Sequence, residues 1–554
     1  MKLPRPLLLA LLAALALPTR ADERAIVRIA DGDAHYRQAL GRHFGHLPRD
    51  RKLGEIVLEV DGADWNWLEQ QGYAPRFDAV LSAQLRNETL AKTIPGYSCY
   101  STVEETDTFI NTQVAAHPTL ASVIDIGDSW EKATAGGLPG YDLRVLRISN
   151  TAIVGDKPKM MVMSGLHARE YTPVQLNLKF AEWLLANYGS SAEATWLVDH
   201  NEFHLLLQAN PDGRKEAESG YSQRKNWHAR GSCGSHALSS GYGPGTDLNR
   251  NFPFYWNLVS GGSSSITCES TYRGPSAMSE PETQAVNTYL SGLFPDTRGG
   301  VENSLTEPAL VDTRGAYFDL HSYSQIVMYP WGVGYSVSGN DAAFKAIARR
   351  MAWFNNYSPE QASELYATDG ASDDNAYGRL GVPAFTIELG SSFFESCSSF
   401  TPTILPDNLA MLKYAARVLH RPYQLPAGPD AYGASASPAS VSAGTVVTVT
   451  ASASDARFNH SNGNEPMQNV SAAIATVDRL PWDPLSVALP MTAADAAFNA
   501  STENLVVQIA TAGWTPGRHI VFVQASDASG AAGAPAAVFI DIDAPAVLFG
   551  DGFE

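Results

Sequence analysis

The chain has 554 residues, 44% of them hydrophobic and 18% charged, and its 39 Lys and Arg against 58 Asp and Glu leave a formal net charge of −19. This composition is typical of a globular protein and excludes a largely disordered or collagen-like chain. So acidic a chain is a poor general binder of nucleic acid or anionic lipid, and neither is expected as a partner. The length predicts two or more domains, because one domain usually contains about 100–200 residues.

Residues 1–21 are typical of a secretory signal peptide. Lys2 and Arg5 precede an uncharged apolar run, Leu7–Leu17, and Ala21 is a small residue of the kind that signal peptidase favours. A membrane anchor is the alternative, but this run is too short, since a spanning helix needs about twenty residues. We expect a secreted, extracellular or periplasmic protein without a transmembrane segment, in a compartment that permits disulfides.

Residues 22–95 predict a small α+β unit. Alternating runs predict strands at Ala25–Ile29 and Glu55–Val60, and the apolar spacing predicts helices over His35–Phe44 and Ala63–Gln71. The histidines of this unit are predicted to lie at the surface: His35, His43 and His46.

Residues 96–423 alternate apolar runs with helical segments, which predicts an α/β domain. Near-continuous apolar strands indicate a mixed, mostly parallel sheet with helices on both faces. The clearest strands are predicted at residues 159–164, 202–207, 316–320 and 384–388. The clearest helices are predicted over residues 174–188, 280–290, 342–354 and 408–419.

The composition changes after a predicted linker, Pro426–Pro429. Residues 431–554 contain no lysine and three arginines, and alternating runs at 445–450, 519–524 and 537–541 are separated by Gly, Ser, Asp and Pro. This pattern predicts a C-terminal β-sandwich of immunoglobulin-like type, without a reaction centre.

The best metal candidates are His167 and Glu170, which follow a predicted strand at the place where open α/β sheets bind ligands. Both are zinc-ligand residue types, although chance alone yields roughly 0.6 such pairs in a chain of this length. His321 also follows directly after a predicted strand, residues 316–320. It would complete a set of three ligands with one open position, which is typical of a catalytic zinc site.

Other charged residues suggest roles around such a metal. Glu388 ends the buried strand predicted at 384–388, where a carboxylate is costly unless it is paired or acts as a base towards metal-bound water. Arg250, next to Asn249, suits a carboxylate, because a guanidinium holds both oxygens with parallel hydrogen bonds. Arg224 would supply a cation for a substrate oxygen that becomes an anion. The alternatives are a rim ion pair for Glu388 and a surface position for either arginine.

Five segments, in this order, resemble the motifs of zinc metallocarboxypeptidases of the carboxypeptidase A and B type. They are His167-Ala-Arg-Glu170, Asn210-Pro-Asp-Gly213, Asp247-Leu-Asn-Arg250, His321-Ser-Tyr-Ser-Gln325 and Phe385-Thr-Ile-Glu-Leu389. The resemblance covers residues 96–423. It implies the metallocarboxypeptidase fold, one zinc ion per catalytic domain, and peptide or protein C-termini as substrate.

The resemblance also implies roles for single residues. The residues that match the zinc ligands are His167, Glu170 and His321. Glu388 matches the general base, and Arg224 matches the arginine that stabilises the oxyanion, although Gln223 replaces a family tryptophan. Asp247 matches the carboxylate that orients the first zinc histidine. The residues that match the binding site for the substrate's terminal carboxylate are Asn249, Arg250 and Tyr366.

Residues Ser372–Tyr377 are similar to the Ser-Asp-Asp-Trp-Ala-Tyr of carboxypeptidase B, whose first aspartate lies at the base of the side-chain pocket. By that match Asp373 implies a preference for C-terminal Lys or Arg, because a buried carboxylate favours a cation. Gly332 and Gln361 stand at neighbouring pocket positions where B-type enzymes carry Ser and Gly. A dual preference and an apolar one therefore stay open.

The resemblance extends to the cysteines and to the N-terminal unit. Cys233 and Cys268 resemble a disulfide of the pancreatic enzymes, which leaves Cys99 to pair with Cys397. Residues 22–95 resemble an inhibitory prosegment in position and size, which implies a zymogen, with a retained domain as the alternative. A monomer is expected.

These observations predict a secreted zinc carboxypeptidase that removes C-terminal residues and prefers Lys or Arg. One alternative is another zinc hydrolase on the same fold, such as an amidase or a peptidoglycan-trimming enzyme. Asn249, Arg250 and Tyr366 together argue against substrates without a free carboxylate. The other alternative is a non-catalytic binding protein, which the presence of Glu388 and of all three metal-ligand residues opposes.

Overall fold

The computed structural model describes residues 25–45, 47–50, 53–79, 81–82, 94, 96–228, 233, 243–299 and 303–544. The predicted signal peptide and His46 lie outside these residues. Within the described part of the chain, no helix combines the length and the apolar character that crossing a bilayer requires.

The N-terminal unit is an antiparallel sheet with two helices. Its strands are β1 (Ala25–Ala30), β2 (Arg49–Asp50), β3 (Glu55–Val60) and β4 (Arg76–Phe77), in the order β2-β3-β1-β4. Its helices are α1 (Ala34–Phe44) and α2 (Gly62–Gln70). Asp33 and Asp61 begin these helices, because their carboxylates accept hydrogen bonds from backbone N–H groups of the first turn. The predicted α+β unit is confirmed.

The predicted surface position of His43 is wrong. Its ring is buried and stacks on Trp67 with the ring centroids 3.8 Å apart, and its Nε2 lies 3.0 Å from Asp64 Oδ1. His43 shares a helix face with the buried Leu40, three residues earlier, and α2 packs against that face. His35 is exposed, as predicted.

The central domain contains an eight-stranded mixed sheet. Its strands are β5 (Ala121–Asp128), β6 (Asp142–Ile148), β7 (Lys159–Ser164), β8 (Glu202–Leu206), β9 (Ala316–His321), β10 (Ile326–Tyr329), β11 (Ser358–Gln361) and β12 (Ala384–Glu388). Their order is β11-β10-β12-β9-β7-β8-β6-β5. The central strands β12, β9, β7 and β8 run parallel, whereas β6 and β10 are antiparallel to their neighbours β8 and β12. The predicted mixed sheet is confirmed.

Eight longer helices of the described residues belong to this domain. They are α3 (Val103–Ala116), α4 (Tyr171–Ala186), α5 (Ala192–His200), α6 (Pro211–Glu218), α7 (Pro281–Leu293), α8 (Asp341–Asn355), α9 (Ser372–Leu380) and α10 (Leu405–Arg417). Thr102 and Glu105 form a capping box at the start of α3, and Asn210 caps α6. Both disulfides implied by the resemblance are present, Cys99–Cys397 and Cys233–Cys268.

The C-terminal region forms one curled eight-stranded sheet. Its strands are β13 (Asp430–Ser437), β14 (Ser440–Val441), β15 (Val446–Ser454), β16 (Val470–Val477), β17 (Leu489–Ala493), β18 (Thr502–Ala510), β19 (Gly517–Asp527) and β20 (Ala536–Ile542). The sheet curls so far that β13 packs against β20 around one apolar core, as in a sandwich. It also packs on the central domain, where Phe522 lies edge-on to Trp196. The immunoglobulin-like type stays a prediction.

Candidate active site

Three side chains meet at the carboxyl ends of the parallel strands β7 and β9. His167 lies in the turn after β7, Glu170 precedes the first residue of α4, and His321 is the last residue of β9. The Nδ1 atoms of His167 and His321 are 3.0 Å apart, and Glu170 places one carboxylate oxygen 2.8 Å from the first and the other 3.0 Å from the second. All three side chains are buried. The structure therefore brings the predicted metal-ligand residues together.

The outer nitrogen of each imidazole faces a buried carboxylate. His167 Nε2 lies 3.1 Å from Asp247 Oδ1, and His321 Nε2 lies 3.0 Å from Asp319 Oδ2. Carboxylates in this position fix the ring orientation and the tautomer of a metal-binding histidine. Asp319 was missed in the sequence, although its place two residues before His321 on β9 puts both side chains on one face of the strand.

These residues fit a zinc ion. Both Nε2 atoms face carboxylates, which leaves the two Nδ1 atoms and the Glu170 carboxylate for a metal ion, and one ligand atom from each residue lies within 4.8 Å of the others. Two imidazole nitrogens and one carboxylate form a donor set that suits zinc and leaves a coordination position open.

Arg224 places its positive charge beside the Asp247 carboxylate, which is the partner of His167. Its Nε and Nη2 donate to Asp247 Oδ2 at 3.1 and 3.0 Å. Burial acts to raise the pKa of Asp247, but the charges of Arg224 and His167 outweigh it, so the pKa falls far below its ordinary value. Asp247 therefore stays a carboxylate that can hold His167.

Glu388 lies beside this group because β12 is the parallel neighbour of β9, with Glu388 paired in register to His321. The side chain is 7% exposed and lines one cavity together with His167 and His321. Burial raises the pKa of Glu388 to about 8. A carboxyl group in such a setting is suited to exchanging a proton near neutral pH.

The same cavity is lined by Arg224, which is predicted to stabilise the oxyanion, and by the residues predicted to bind the substrate, which are Asn249, Arg250, Tyr366 and Asp373. Arg250 Nη2 donates to the Tyr366 hydroxyl at 3.3 Å, and Asn249 Oδ1 accepts from the backbone N–H of Ser372 at 2.8 Å. The structure thus brings every predicted site residue to one cavity or to its immediate border.

Asp373 is buried in the cavity wall at the start of α9. Its carboxylate accepts hydrogen bonds from the backbone N–H of Asp374 at 2.8 Å and from Thr386 Oγ1 at 3.0 Å. Burial raises the pKa of Asp373. Gln361 was predicted to stand at a neighbouring pocket position. Its side-chain amide donates to the backbone carbonyls of Trp331, Gly334 and Ser336, so it holds the loop that follows β10.

The end of α1 from the N-terminal unit enters the mouth of this cavity, a feature that the sequence did not reveal. The carbonyls of Arg42, His43, Phe44 and Gly45 accept hydrogen bonds from Thr271, Ser270, Arg169 and Tyr366 of the central domain, in that order. Gly45 has a φ of 70° and lines the cavity, and a Cβ there would lie 2.9 Å from Arg224 Nε. Glycine is therefore the residue that fits this close approach.

Two histidines and a glutamate at the strand ends of an α/β domain, with a second buried glutamate beside them, are typical of a zinc-dependent hydrolase. A family model described as zinc carboxypeptidase matches residues 106–405. The chain belongs to this zinc carboxypeptidase family.

Curated relatives share this part of the chain. A zinc carboxypeptidase of Saccharothrix mutabilis subsp. capreolus is 30% identical over 303 residues, which are 53% of this chain and 62% of that protein. Human carboxypeptidase A1 is 28% identical over 339 residues, 59% of this chain and 72% of that protein. Carboxypeptidase B of Canis lupus familiaris is 27% identical over 386 residues, 67% of this chain and 83% of that protein.

Solved structures support the fold. The crystal structure of thrombin activatable fibrinolysis inhibitor has a TM-score of 0.53 and 23% identity, and the match covers 72% of this chain and 99% of that chain. Carboxypeptidase A from Helicoverpa armigera has a TM-score of 0.55 and 20% identity, with 73% and 98% covered. The predicted metallocarboxypeptidase-like fold is confirmed.

Proposed function

We propose that this protein is a secreted zinc carboxypeptidase that hydrolyses the last peptide bond of peptides and proteins. The observation that carries this proposal is one cavity lined by His167 and His321 of the His167–Glu170–His321 group, together with Glu388 and Arg250. A metal-ligand group and a base suit amide hydrolysis, and a buried guanidinium suits the carboxylate at the end of a peptide.

Each residue has a distinct task in the proposed reaction. A zinc ion bound by His167, Glu170 and His321 would supply Lewis acidity to the site. Glu388 takes a proton from the attacking water and passes it to the nitrogen of the leaving residue, so that the proton is conserved. Arg224 stabilises the negative charge that develops on the carbonyl oxygen.

Recognition of the chain end explains why single residues would leave. The proposed binding residues for the terminal carboxylate are Asn249, Arg250 and Tyr366. Arg250 and Tyr366 are joined by a hydrogen bond of 3.3 Å, so the guanidinium and the phenol are close enough together to contact one carboxylate. A substrate without a free carboxylate would leave the buried Arg250 unpaired, which is unfavourable. This favours a carboxypeptidase over an amidase that acts on other substrates.

We assign the preference for Lys or Arg to Asp373. Its carboxylate lies in the cavity wall and is held by two hydrogen bonds, from the Asp374 N–H and Thr386. A cationic side chain would compensate this buried charge, whereas an apolar side chain would leave it without a counter-ion. A dual preference is the alternative.

We further propose that residues 22–95 are an inhibitory prosegment. The carbonyls at the end of α1 occupy hydrogen-bond donors at the cavity mouth, including the Tyr366 hydroxyl, which donates to the Gly45 carbonyl at 2.7 Å. A substrate cannot use the same donor at the same time. Removal of the unit would therefore expose the site.

The decisive experiment is digestion of a peptide pool by the zinc-loaded protein, before and after limited trypsin treatment, with trypsin then blocked by an inhibitor. The sequence offers tryptic sites at Arg86 and Lys92, before the central domain. Mass spectrometry should show residues leaving singly from C-termini, Lys and Arg first, and faster after treatment. Internal cleavage, or no loss of terminal residues under either condition, would refute the proposal.

The specificity assignment has its own test. Asp373→Ala should reduce kcat/KM for peptides ending in Lys or Arg by about 10²-fold, and by far less for apolar ends, because only a cation uses the carboxylate. Asp156→Ala is a matched control, since Asp156 is an exposed carboxylate paired with Arg314. Equal losses on basic and apolar ends would remove the basic-pocket assignment.

A further inference from the structure

The C-terminal sheet sends one loop onto the border of the cavity. This bracing loop, residues 455–468, reaches the segment 358–368 of the central domain, which we term the rim segment. The side-chain amide of Asn462 donates from Nδ2 to the carbonyl of Pro359 at 3.0 Å and to Glu364 Oε2 at 3.1 Å. One side chain therefore holds the strand β11 and the turn that follows it.

The bracing loop is itself firmly attached to α8. At its base, Arg350 is buried, donates to Asp455 Oδ1 at 2.8 Å, and stacks 3.6 Å above the Phe458 ring. Asp455 also accepts from the backbone N–H of Gln468 at 2.6 Å, which closes the loop. At the tip, Arg349 donates to the carbonyl of Asn462 at 2.9 Å and forms an ion pair with Glu465. Because the bracing loop is attached to α8 at its base and at its tip, it can hold Asn462 in a fixed position.

The rim segment joins the edge of the sheet to the cavity. Its first part, β11, lies at the edge of the eight-stranded sheet, and among the described strands it pairs with β10 alone. Its later residues, among them Leu365 and Tyr366, line the cavity. An edge strand presents backbone N–H and C=O groups that no neighbouring strand pairs, and a loop that covers the edge can supply partners for them.

The N-terminal unit also holds the rim segment. Gln38 bonds the backbone of Ala367 in both directions, at 3.1 and 3.2 Å, and Arg49 donates to the carbonyl of Glu364 at 3.5 Å. The following inference rests on the proposed function, in which this unit is a removable prosegment. Removal of the unit on activation would remove these contacts. The Asn462 contacts then remain as support from outside the central domain.

We infer that Asn462 is a positioning residue, through which the C-terminal domain fixes the rim segment and thereby places Tyr366 for the substrate carboxylate. The C-terminal domain is on this account a structural part of the substrate-binding site of the activated enzyme. Displacement of a positioned group by about 1 Å can reduce turnover efficiency strongly, so a single side chain can matter at this distance from the chemistry.

The test uses the zinc-loaded full chain after limited trypsin treatment, with a short peptide that ends in a free carboxylate. Asn462→Ala should raise KM about three- to tenfold, the range that a lost hydrogen bond produces, with little change in kcat or zinc content. Asn469→Ala is the matched control, because the Asn469 amide donates to the carbonyl of Asn499 within the C-terminal domain. Equal KM values for the two variants would overturn the inference.

A second pair of substitutions, Asn462→Asp and Glu364→Gln, distinguishes loss of this contact from a general loss of structure. Asn462→Asp keeps the shape but sets a carboxylate against Glu364, so KM should rise at least as much as in Asn462→Ala. Adding Glu364→Gln lets the new amide donate to the new carboxylate and should recover part of the loss. Purely additive effects of the two substitutions would contradict a direct contact.

Hydrogen exchange separates this inference from the proposed function. In the untreated full chain, backbone amides of residues 358–368 should exchange faster in Asn462→Ala than in Asn469→Ala, whether or not the protein is active. An inactive wild-type protein with this exchange difference would refute the carboxypeptidase proposal alone. An active wild-type protein, with equal KM values for Asn462→Ala and Asn469→Ala, would refute the positioning role alone.

Discussion

The centre of the catalytic site and the core of the C-terminal sheet are built from opposite kinds of side chains. At the ends of β7 and β9, two imidazoles are buried against the carboxylates of Asp247 and Asp319 at 3.0–3.1 Å. The core of the C-terminal sheet consists mostly of small aliphatic residues, among them Val447, Val449, Ala473, Ala475 and Val521.

This difference separates function from stability. Burial of charged groups is unfavourable unless partners compensate it, and networks of buried charged groups are concentrated at functional sites. Aliphatic side chains in a closed sheet stabilise the fold through removal of apolar surface from water. Substitutions in the catalytic site should therefore change activity or metal binding, and substitutions in the core of the C-terminal sheet should change stability.

The largest effect is expected at Glu388. Glu388→Gln keeps the shape but removes the proton acceptor, and kcat should fall by about 10²–10⁴-fold. Zinc content, measured by elemental mass spectrometry, should stay at the wild-type level, because Glu388 lies outside the His167–Glu170–His321 group. Activity close to that of the wild type would show that another group is the base.

A second prediction concerns Glu282 at the start of α7. Burial raises the pKa of Glu282 to about 8, above the ordinary value of 4.5, so the folded protein keeps a proton that the unfolded chain has lost. Protonation of Glu282 therefore contributes fully to the free energy of unfolding below pH 4.5. This contribution, on the order of 1–4 kcal/mol, is lost as pH rises towards 8. Thermal unfolding should show a midpoint that falls with pH more steeply in the wild type than in Glu282→Gln. Parallel curves would show that Glu282 is ionised when folded.

Asp319 offers a test of the carboxylates behind the histidines. Asp319→Asn keeps the shape but removes the charge that increases the basicity of His321, and zinc affinity should fall about 10–100-fold. Competition with a chelator measures this change. Asp212→Asn is the matched control, since Asp212 is also buried and accepts hydrogen bonds from Ser129 and Glu131. Equal zinc affinities in both variants would make Asp319 a purely structural residue.

The smallest effect is expected in the C-terminal core. Val449→Ala removes two buried methyl groups and should lower the free energy of unfolding by about 2 kcal/mol. Zinc affinity and kcat/KM of the folded protein should stay unchanged, because Val449 lies on β15, outside the bracing loop. A change in either property would show that the two regions are coupled through the core as well as through Asn462.

Much of the fold followed from local patterns. The strands β7 and β12 have the predicted ends, because continuous apolar runs between polar residues mark strands that are buried on both faces. The disulfides and the site residues were accessible through motifs that resemble those of a known family. Asp319 could have been found by its spacing from His321.

The amino-acid sequence by itself determined the sequence of elements, the acidic character of the chain and the residue types available for a metal site, because periodicity and motifs are local properties. Only the tertiary structure decided what lies against what. It buried His43 under Trp67, placed the carbonyls of α1 in the cavity mouth, and set Asn462 beside Glu364. These contacts join residues far apart in the chain, and no local pattern encodes the packing that brings such residues together.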